Sequence, residues 1–508
     1  MNQEIEKDRP FKTRLKDLRT GILEMQEYLK QERISTLIIV TGFDGAGKGH
    51  IIQRFNEWLD PRTVSTSAFW ISSDEERERP YFWKFWRYLP SKGRTALFFG
   101  SWYADLIAQR LYDGLSDEKL DQRLEKIRFF ERMLAEDGTL IMKYWLHLAR
   151  DQQLEKKAEL EKNPQFHWKM QPDDWSHEGH YERFLETAEY VMGLTDQECS
   201  RWTRVPAFDP DERDYMVARS FVRNVQRYSS DHARLRKSNQ APPPAPFSPS
   251  EPLLPVSTPS LNPPDDQNLK LDKAIYNELL PDLQDRLFQL AWTFYHLKKS
   301  VFLVFEGWDA AGKGGCIRRV VDSIDARLFD VIPISAPTRE ELDYNYLWRF
   351  WKTIPRAGRM AIYDRSWYGR VLVERVEGFA RDHEWMRAYN EIIDFENQLT
   401  RPGNIVLKFW LEISPETQLK RFQKRQVVPF KRFKLGPEDW RNRAKWSNYQ
   451  IAAREMIEKT HTPQAPWHVI HADNKRFGRI DVLKRIVATM ESALADVDVT
   501  AGGQQNRA

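Results

Sequence analysis

The sequence predicts an α/β protein made of two tandem domains, each a doubly wound parallel sheet flanked by helices. The chain has 508 residues, which is more than one compact core usually holds. A glycine-rich segment occurs twice, each time after an apolar, β-branched run and before a stretch with helical spacing. Strand and helix signals alternate through both halves, and this alternation is typical of parallel sheets covered by helices.

The two halves are copies of one another. GFDGAGKG at residues 42–49 returns as GWDAAGKG at residues 307–314, 265 residues later. The same offset relates WKFW at Trp83 to WRFW at Trp348, SWY at Ser101 to SWY at Ser366, and Trp202 to Trp467. Because this period far exceeds the roughly 20–50 residues of stacked repeats, it indicates duplication of a whole domain. We therefore expect domains at residues 1–228 and 265–496.

A proline-rich segment, residues 229–264, separates the copies. Proline fixes φ and lacks a backbone donor, so the segment suits neither a helix interior nor an inner strand. We expect an extended, polyproline-like linker, and a ligand for proline-binding domains is the alternative. Residues 497–508 contain Gly502 and Gly503 and are expected to form a disordered tail.

The elements around each glycine segment follow in order. Amphipathic spacing predicts helices near residues 15–32 and 279–297, ahead of the glycine segments. Apolar runs predict buried strands at residues 37–40, 95–98, 140–145, 301–305, 360–363 and 405–411. Ligands of such sheets bind at the carboxyl ends of the strands, so residues that follow the strands are the candidates for a site.

The second glycine segment has the form G-x-x-x-x-G-K between a strand and a helix, which predicts a P-loop kinase-like phosphate site. The loop residues are Gly307, Ala310, Ala311, Gly312 and Gly314. Their backbone N–H groups and the helix N-terminus favour anions, and Lys313 is placed to bridge phosphate oxygens. The usual Ser or Thr after the lysine is Gly314, so a metal ion needs other ligands, and Asp309 and Asp364 are the available carboxylates.

Asp364 and Arg365 directly follow the apolar run at residues 360–363. A carboxylate at a strand end suits Mg²⁺, and the neighbouring arginine can offset charge on a transferring phosphoryl group. The alternative is a solvated surface pair without a function.

A basic segment lies between residues 418 and 445. Arg421 and Arg425 lie four residues apart and share one helical face, and Lys434 follows them. Such a face can close over a polyanion. A solvated basic surface is the alternative.

In these segments the sequence resembles the polyphosphate kinase 2 family. The matching segments are residues 306–314, 348–351, 364–368, 408–410 and 465–467. The fused form resembles the two-domain class of this family, whose members transfer the terminal phosphoryl group of polyphosphate to AMP. The resemblance implies that Asp309, Lys313, Asp364 and Arg365 are catalytic. It also implies that Asp309 and Asp364 hold Mg²⁺, with Mn²⁺ as an alternative, and that the Arg421/Arg425 segment is a lid.

The first copy lacks most of these residues. At the 265-residue offset, Asp364 corresponds to Phe99, Arg365 to Gly100 and Arg425 to Leu160. We therefore expect in-line transfer in the second domain only, with the first domain degenerate and inactive. The duplication suggests that the domains pack as a pseudo-dimer, and a homo-oligomer is left open.

Composition restricts the other functions. The net charge is +4, and the basic residues are concentrated in the lid segment, which argues against a nucleic-acid partner. Two cysteines and the lack of a long apolar run predict a cytoplasmic protein without a membrane partner. The expected partners are polyphosphate and AMP or ADP. The alternatives are a polyphosphate-dependent ADP or GDP kinase, an ATP-dependent nucleotide kinase, and a non-catalytic nucleotide-binding adaptor.

Overall fold

A computed structural model of the chain describes residues 11–69, 72–162, 180–238, 257–262, 269–401, 403–429 and 435–505. The chain divides into two compact units. Unit 1 contains Met1–Ser73, Lys84–Pro242 and Arg339–Trp348, and unit 2 contains Asp74–Trp83, Pro243–Thr338 and Arg349–Ala508. Each unit therefore includes ten residues from the other half of the sequence, and these two short segments are themselves related by the 265-residue offset.

Unit 1 contains a five-stranded parallel sheet in the order β2-β3-β1-β4-β5. The strands are β1 (Thr36–Gly42), β2 (Val64–Ala68), β3 (Thr95–Phe99), β4 (Leu140–His147) and β5 (Trp202–Pro206). The helices of this half of the sequence are α1 (Phe11–Gln31), α2 (Lys48–Trp58), α3 (Asp74–Arg77), α4 (Trp83–Trp86), α5 (Ala104–Tyr112), α6 (Asp117–Glu136), α7 (Arg150–Glu161), α8 (Tyr181–Thr195) and α9 (Pro210–Ser238).

Unit 2 repeats this arrangement, with the order β10-β9-β6-β8-β7 and parallel pairing throughout. Its strands are β6 (Val301–Gly307), β7 (Phe329–Pro333), β8 (Met360–Asp364), β9 (Ile405–Glu412) and β10 (Trp467–His471). The helices are α10 (Lys273–His296), α11 (Lys313–Val321), α12 (Trp348–Trp351), α13 (Val373–Val376), α14 (Asp382–Thr400), α15 (Pro415–Val427), α16 (Pro437–Ala444), α17 (Trp446–Thr460) and α18 (Lys475–Gln505). The predicted α/β class and the duplication are confirmed.

The central strands of both sheets are almost entirely buried, because helices cover the two faces of each sheet. A lysine lies inside each core. Lys408 Nζ donates to Glu396 Oε2 at 2.7 Å, to Tyr368 Oη at 2.9 Å and to the Thr460 carbonyl at 2.7 Å. Lys143 makes the equivalent bonds in unit 1. A buried charge needs such partners, so this cluster fixes β9 against α14 and α17.

Several boundaries differ from the sequence-based expectations. The edge strands β2, β5, β7 and β10 were not predicted, because they have only five residues each, and β2, β5 and β7 are also partly exposed. Helix α9 continues to Ser238, ten residues into the expected linker, because the first linker proline is Pro242. Helix α18 continues to Gln505, so most of the expected disordered tail is helical. Residues 239–256 and 263–268, which include most of the expected linker, lie outside the described residues. No helix in the described part of the chain is long and apolar enough to cross a bilayer.

Candidate active site

The glycine loop of unit 2 joins β6 to α11 and follows the backbone of β9 closely. Gly307 has φ 131°, and a Cβ at this position would lie 2.5 Å from the Leu411 carbonyl oxygen, so no side chain fits. Gly312 precedes the helix with φ 119°. Lys313 Nζ donates to the carbonyls of Gly307 (2.6 Å) and Trp308 (3.3 Å), which places the ammonium group over the loop.

A cavity of about 1000 Å³ opens above this loop. It brings together nearly all of the predicted site residues of unit 2. Those that line it are Asp309, Ala310, Ala311, Gly312, Lys313, Gly314, Asp364, Arg365, Arg421 and Arg425. Gly307 lies beneath the loop and shapes it without lining the cavity, and Lys434 lies outside the described residues.

Arg365 extends from the end of β8 toward the loop. Its Nη2 donates to Asp309 Oδ1 at 2.9 Å. The arginine has φ 66°, in the left-handed region that L residues other than glycine seldom adopt. Gly100 occupies the equivalent position in unit 1 with φ 77°. The turn after the strand therefore requires this conformation, and unit 2 accepts a strained arginine there, as functional sites often do.

Beneath the loop, Glu306 is buried and accepts a hydrogen bond from Ser366 Oγ at 2.8 Å. Burial raises the pKa of this carboxyl group. Burial also lowers the pKa of Lys313, and the positive charge of Arg365 adds to that effect. A lysine whose charged form is disfavoured gains from an anion beside it, which suits a phosphate-binding role.

The guanidinium of Arg421 binds backbone carbonyls, although the sequence predicted that it would contact a polyanion. Its Nη1 donates to the carbonyls of Ala310 (2.9 Å) and Ala311 (2.8 Å), and its Nη2 donates to those of Ala472 (2.7 Å) and Asp473 (3.0 Å). The side chain lines the cavity, but these bonds tie the glycine loop to the chain after β10. Arg421 therefore holds the loop in shape.

The predicted lid consists of α15 and α16. Gln418 on α15 donates to the Asp309 carbonyl at 3.1 Å, and Arg443 on α16 donates to Gln418 Oε1 at 3.0 Å. Asn442 on α16 donates from Nδ2 to Asp309 Oδ2 at 2.9 Å. Both helices thus contact the glycine loop directly.

Sequence reasoning missed several polar residues that line the cavity. They are Arg318, Arg319, Asn442, Lys475 and Arg479. Lys424 and Arg441, which also line the cavity, belong to the basic segment that the sequence singled out between residues 418 and 445. Arg479 could have been found from the sequence. Its counterpart at the 265-residue offset is the acidic Asp214, so the charge at this position differs in sign between the two copies. Of α11 only the N-terminus was assigned to the site, and the start of α18 was not considered, because only the fold shows that other residues of these helices reach the cavity.

In unit 1, side chains of the same unit lie against the equivalent glycine loop. Lys48 Nζ forms an ion pair with Asp44 Oδ1 at 2.8 Å. Arg213 is buried and donates to the Ala46 carbonyl, and its Nη1 lies 2.1 Å from the point where a Cβ on Gly47 would stand. Asp214, also buried, pairs with Arg213 at 2.8 Å.

The residues in the cavity fit a magnesium ion. Mg²⁺ prefers oxygen ligands, keeps several waters and usually takes only one or two protein carboxylates together with substrate phosphates. Asp309 and Asp364 supply two carboxylates that line the cavity. No group of three or more His, Cys, Asp or Glu residues arranged to hold a metal occurs among the described residues, so an all-protein cage is not formed there.

Comparison with known proteins identifies close relatives. The model of the family described as polyphosphate kinase 2 matches residues 5–233 and 270–497. The chain is 44% identical over 478 residues to a polyphosphate:AMP phosphotransferase of Pseudomonas aeruginosa, covering 94% of this chain and 95% of the relative. It is 33% identical to a polyphosphate:AMP phosphotransferase of Acinetobacter johnsonii, covering 90% and 91%. A crystal structure of a polyphosphate kinase 2 protein from P. aeruginosa PA01 is similar with a TM-score of 0.82 and 40% identity, covering 96% of both chains.

Proposed function

The chain belongs to the polyphosphate kinase 2 family, and on that premise we propose that unit 2 transfers the terminal phosphoryl group of polyphosphate to AMP and so makes ADP. Membership of the family confirms the resemblance seen in the sequence, and as a polyphosphate kinase 2 the chain is a phosphoryl-transfer enzyme. The acceptor comes from the two-domain relatives, which are named polyphosphate:AMP phosphotransferases.

One observation carries the proposal. Lys313, Arg365, Asp309 and Asp364 line a single large cavity, together with basic residues from α11, α15, α16 and α18. A chain of phosphates needs many positive contacts along its length, and the transferring group needs a lysine, an arginine and a metal site at one point. Arg425 and the basic residues of α11 and α18 support a path for the donor chain.

We infer a mechanism that depends on positioning and charge. The acceptor phosphate of AMP is ionised near neutral pH, so it needs no strong general base. Lys313 and Arg365 offset the charge on the equatorial oxygens of the transferring group. Asp309 and Asp364 are the residues that would hold Mg²⁺, with Mn²⁺ as the alternative ion, and the bound ion supplies further charge neutralisation.

We infer that unit 1 performs no transfer. Phe99 and Gly100 stand where Asp364 and Arg365 stand in unit 2, so the strand end offers neither a carboxylate nor a guanidinium. Arg213 lies against the glycine loop, and Lys48 is neutralised by Asp44. The packing of the domains as a pseudo-dimer and the oligomeric state stay predictions.

A second acceptor class follows from shorter relatives. The chain is 36% identical over 218 residues to an NDP-polyphosphate phosphotransferase of Ruegeria pomeroyi, covering 43% of this chain and 72% of that relative. A nucleoside diphosphate such as ADP or GDP is therefore the competing acceptor.

The test is a panel of AMP, ADP, GMP and GDP with polyphosphate and Mg²⁺ and without ATP. We expect AMP to give the highest kcat/KM and Asp364→Asn to remove the activity, while Asp44→Asn in unit 1 leaves it nearly unchanged. Failure of the wild-type protein to make ADP from AMP would refute the proposed function. Activity surviving in Asp364→Asn would refute its assignment to unit 2.

A further inference from the structure

Asp309 is held at both carboxylate oxygens by groups outside the glycine loop. Arg365 donates to Oδ1 and Asn442 donates to Oδ2, each at 2.9 Å. Arg365 was predicted as a site residue, whereas Asn442 on α16 was not. Each oxygen accepts one of these hydrogen bonds and keeps a lone pair for another partner.

Unit 1 shows what the same loop does without these two groups. Gly100 replaces Arg365, and His177, the counterpart of Asn442, lies outside the described residues. Asp44 there takes the ammonium of Lys48 at 2.8 Å, in an ion pair between residues four apart in sequence. In unit 2 the described contacts of the Lys313 ammonium are the two loop carbonyls, and no ion pair joins it to Asp309.

The orientation of Asn442 is fixed from its other side. Tyr449 Oη lies 3.2 Å from Asn442 Oδ1 and 3.3 Å from Glu377 Oε1. Glu377 is only 5% exposed and pairs with Lys445 at 2.9 Å and Arg441 at 3.2 Å. Because a carboxylate only accepts hydrogen bonds, the amide nitrogen of Asn442 faces Asp309, and its oxygen faces the phenol.

We propose that Asn442 is a positioning residue for phosphoryl transfer, which keeps Asp309 from pairing with Lys313. With Asp309 held at Oδ2, the lysine charge stays available for phosphoryl oxygens and the aspartate stays available for the metal ion. This role rests on the proposed function of unit 2. It links closure of the lid to the readiness of the site, because α16 supplies the hydrogen bond.

The test uses Asn442→Leu, which is nearly isosteric and cannot hydrogen-bond, Tyr449→Phe, and the double variant. We expect Asn442→Leu to lower kcat/KM for polyphosphate on the order of 10- to 100-fold, the usual worth of a hydrogen bond to a charged group. Tyr449→Phe deletes one hydroxyl, matches Phe184 of unit 1 and should have a smaller effect. The double variant should be no worse than Asn442→Leu, because the phenol acts through the amide.

A second readout does not depend on turnover. Binding of Mn²⁺ alone, followed by electron paramagnetic resonance, should be weaker in Asn442→Leu than in the wild type, because Asp309 is then drawn to Lys313. The melting temperature should change little in Tyr449→Phe. If Asn442→Leu does not fold, kcat/KM and Mn²⁺ binding of Tyr449→Phe therefore test the role of Asn442.

Unchanged kcat/KM and unchanged Mn²⁺ binding in Asn442→Leu would overturn the proposal, and so would losses that add in the double variant. If the wild-type protein makes no ADP, the proposed function fails instead. The Mn²⁺ comparison still decides the role of Asn442 in that case.

Discussion

Replacing Arg365 by glycine should remove most of the activity and leave the free energy of unfolding nearly unchanged. Arg365 sits at φ 66°, where an L residue other than glycine costs about 1–2 kcal/mol. Glycine removes that cost but adds about 0.5–1 kcal/mol of backbone entropy in the unfolded chain. The ion pair with Asp309 is also lost, and because the arginine side chain is 52% exposed this pair is worth at most about 1 kcal/mol. The free energy of unfolding should therefore stay within about 1 kcal/mol of the wild-type value.

The activity should behave differently. Arg365 lies beside Asp309 of the glycine loop and is the guanidinium proposed to act on the transferring group. Removing one such donor typically costs about 10²–10³-fold in rate. The assay is ADP formation from AMP and polyphosphate, paired with urea unfolding of the same preparations. Arg365→Ala is the matched control, because it removes the charge but keeps the unfavourable φ. It should be as inactive as the glycine variant and less stable by roughly 1 kcal/mol.

Two results would refute this reasoning. A glycine variant that keeps more than a tenth of the wild-type kcat/KM would show that the guanidinium does not act on the transferring group. A glycine variant destabilised by several kcal/mol would show that the arginine holds the fold, which Gly100 at φ 77° in unit 1 argues against.

Three further outcomes are expected. Lys313→Met should lower kcat/KM at least 100-fold, whereas Lys48→Met should change it less than about twofold, and equal losses would contradict the assignment to unit 2. Lys408→Met should destabilise unit 2 by about 3–5 kcal/mol in urea unfolding, because it leaves Glu396 buried without its partner. Burial raises the pKa of Asp394 to about 7. Its contribution to stability is thus complete below about pH 4 and is lost toward pH 7, so Asp394→Asn should gain stability over wild type across that range and stay constant above it.

The features that could be predicted from the sequence are those whose pattern lies within one short segment. The central strands are apolar runs, and the glycine loop needs only its own spacing and the strand before it. The 265-residue offset then located the missing residues of unit 1 without any structure. Asp364 and Arg365 were candidates because the end of a parallel strand is where ligands bind, and both line the cavity.

What the sequence could not show depends on contacts between distant segments. Arg421 was expected to face a polyanion, and only the fold shows that its guanidinium binds four carbonyls of the glycine loop and the chain after β10. Asn442 carries no charge and no motif, and its role depends on Asp309, 133 residues earlier. The edge strands were missed because a strand of only five residues has little periodicity to detect.

Arg213, which lies against the first glycine loop, makes the proposed lack of activity in unit 1 hard to reverse. Introducing an aspartate at position 99 and an arginine at position 100 would give unit 1 the strand end of unit 2. The space beside the glycine loop would still be occupied by Arg213 and its ion-pair partner, the buried Asp214. Engineering a second active site into unit 1 would therefore also require replacing Arg213 and Asp214. Their counterparts in unit 2 are Gly478 and Arg479, so glycine and arginine are the replacements to try.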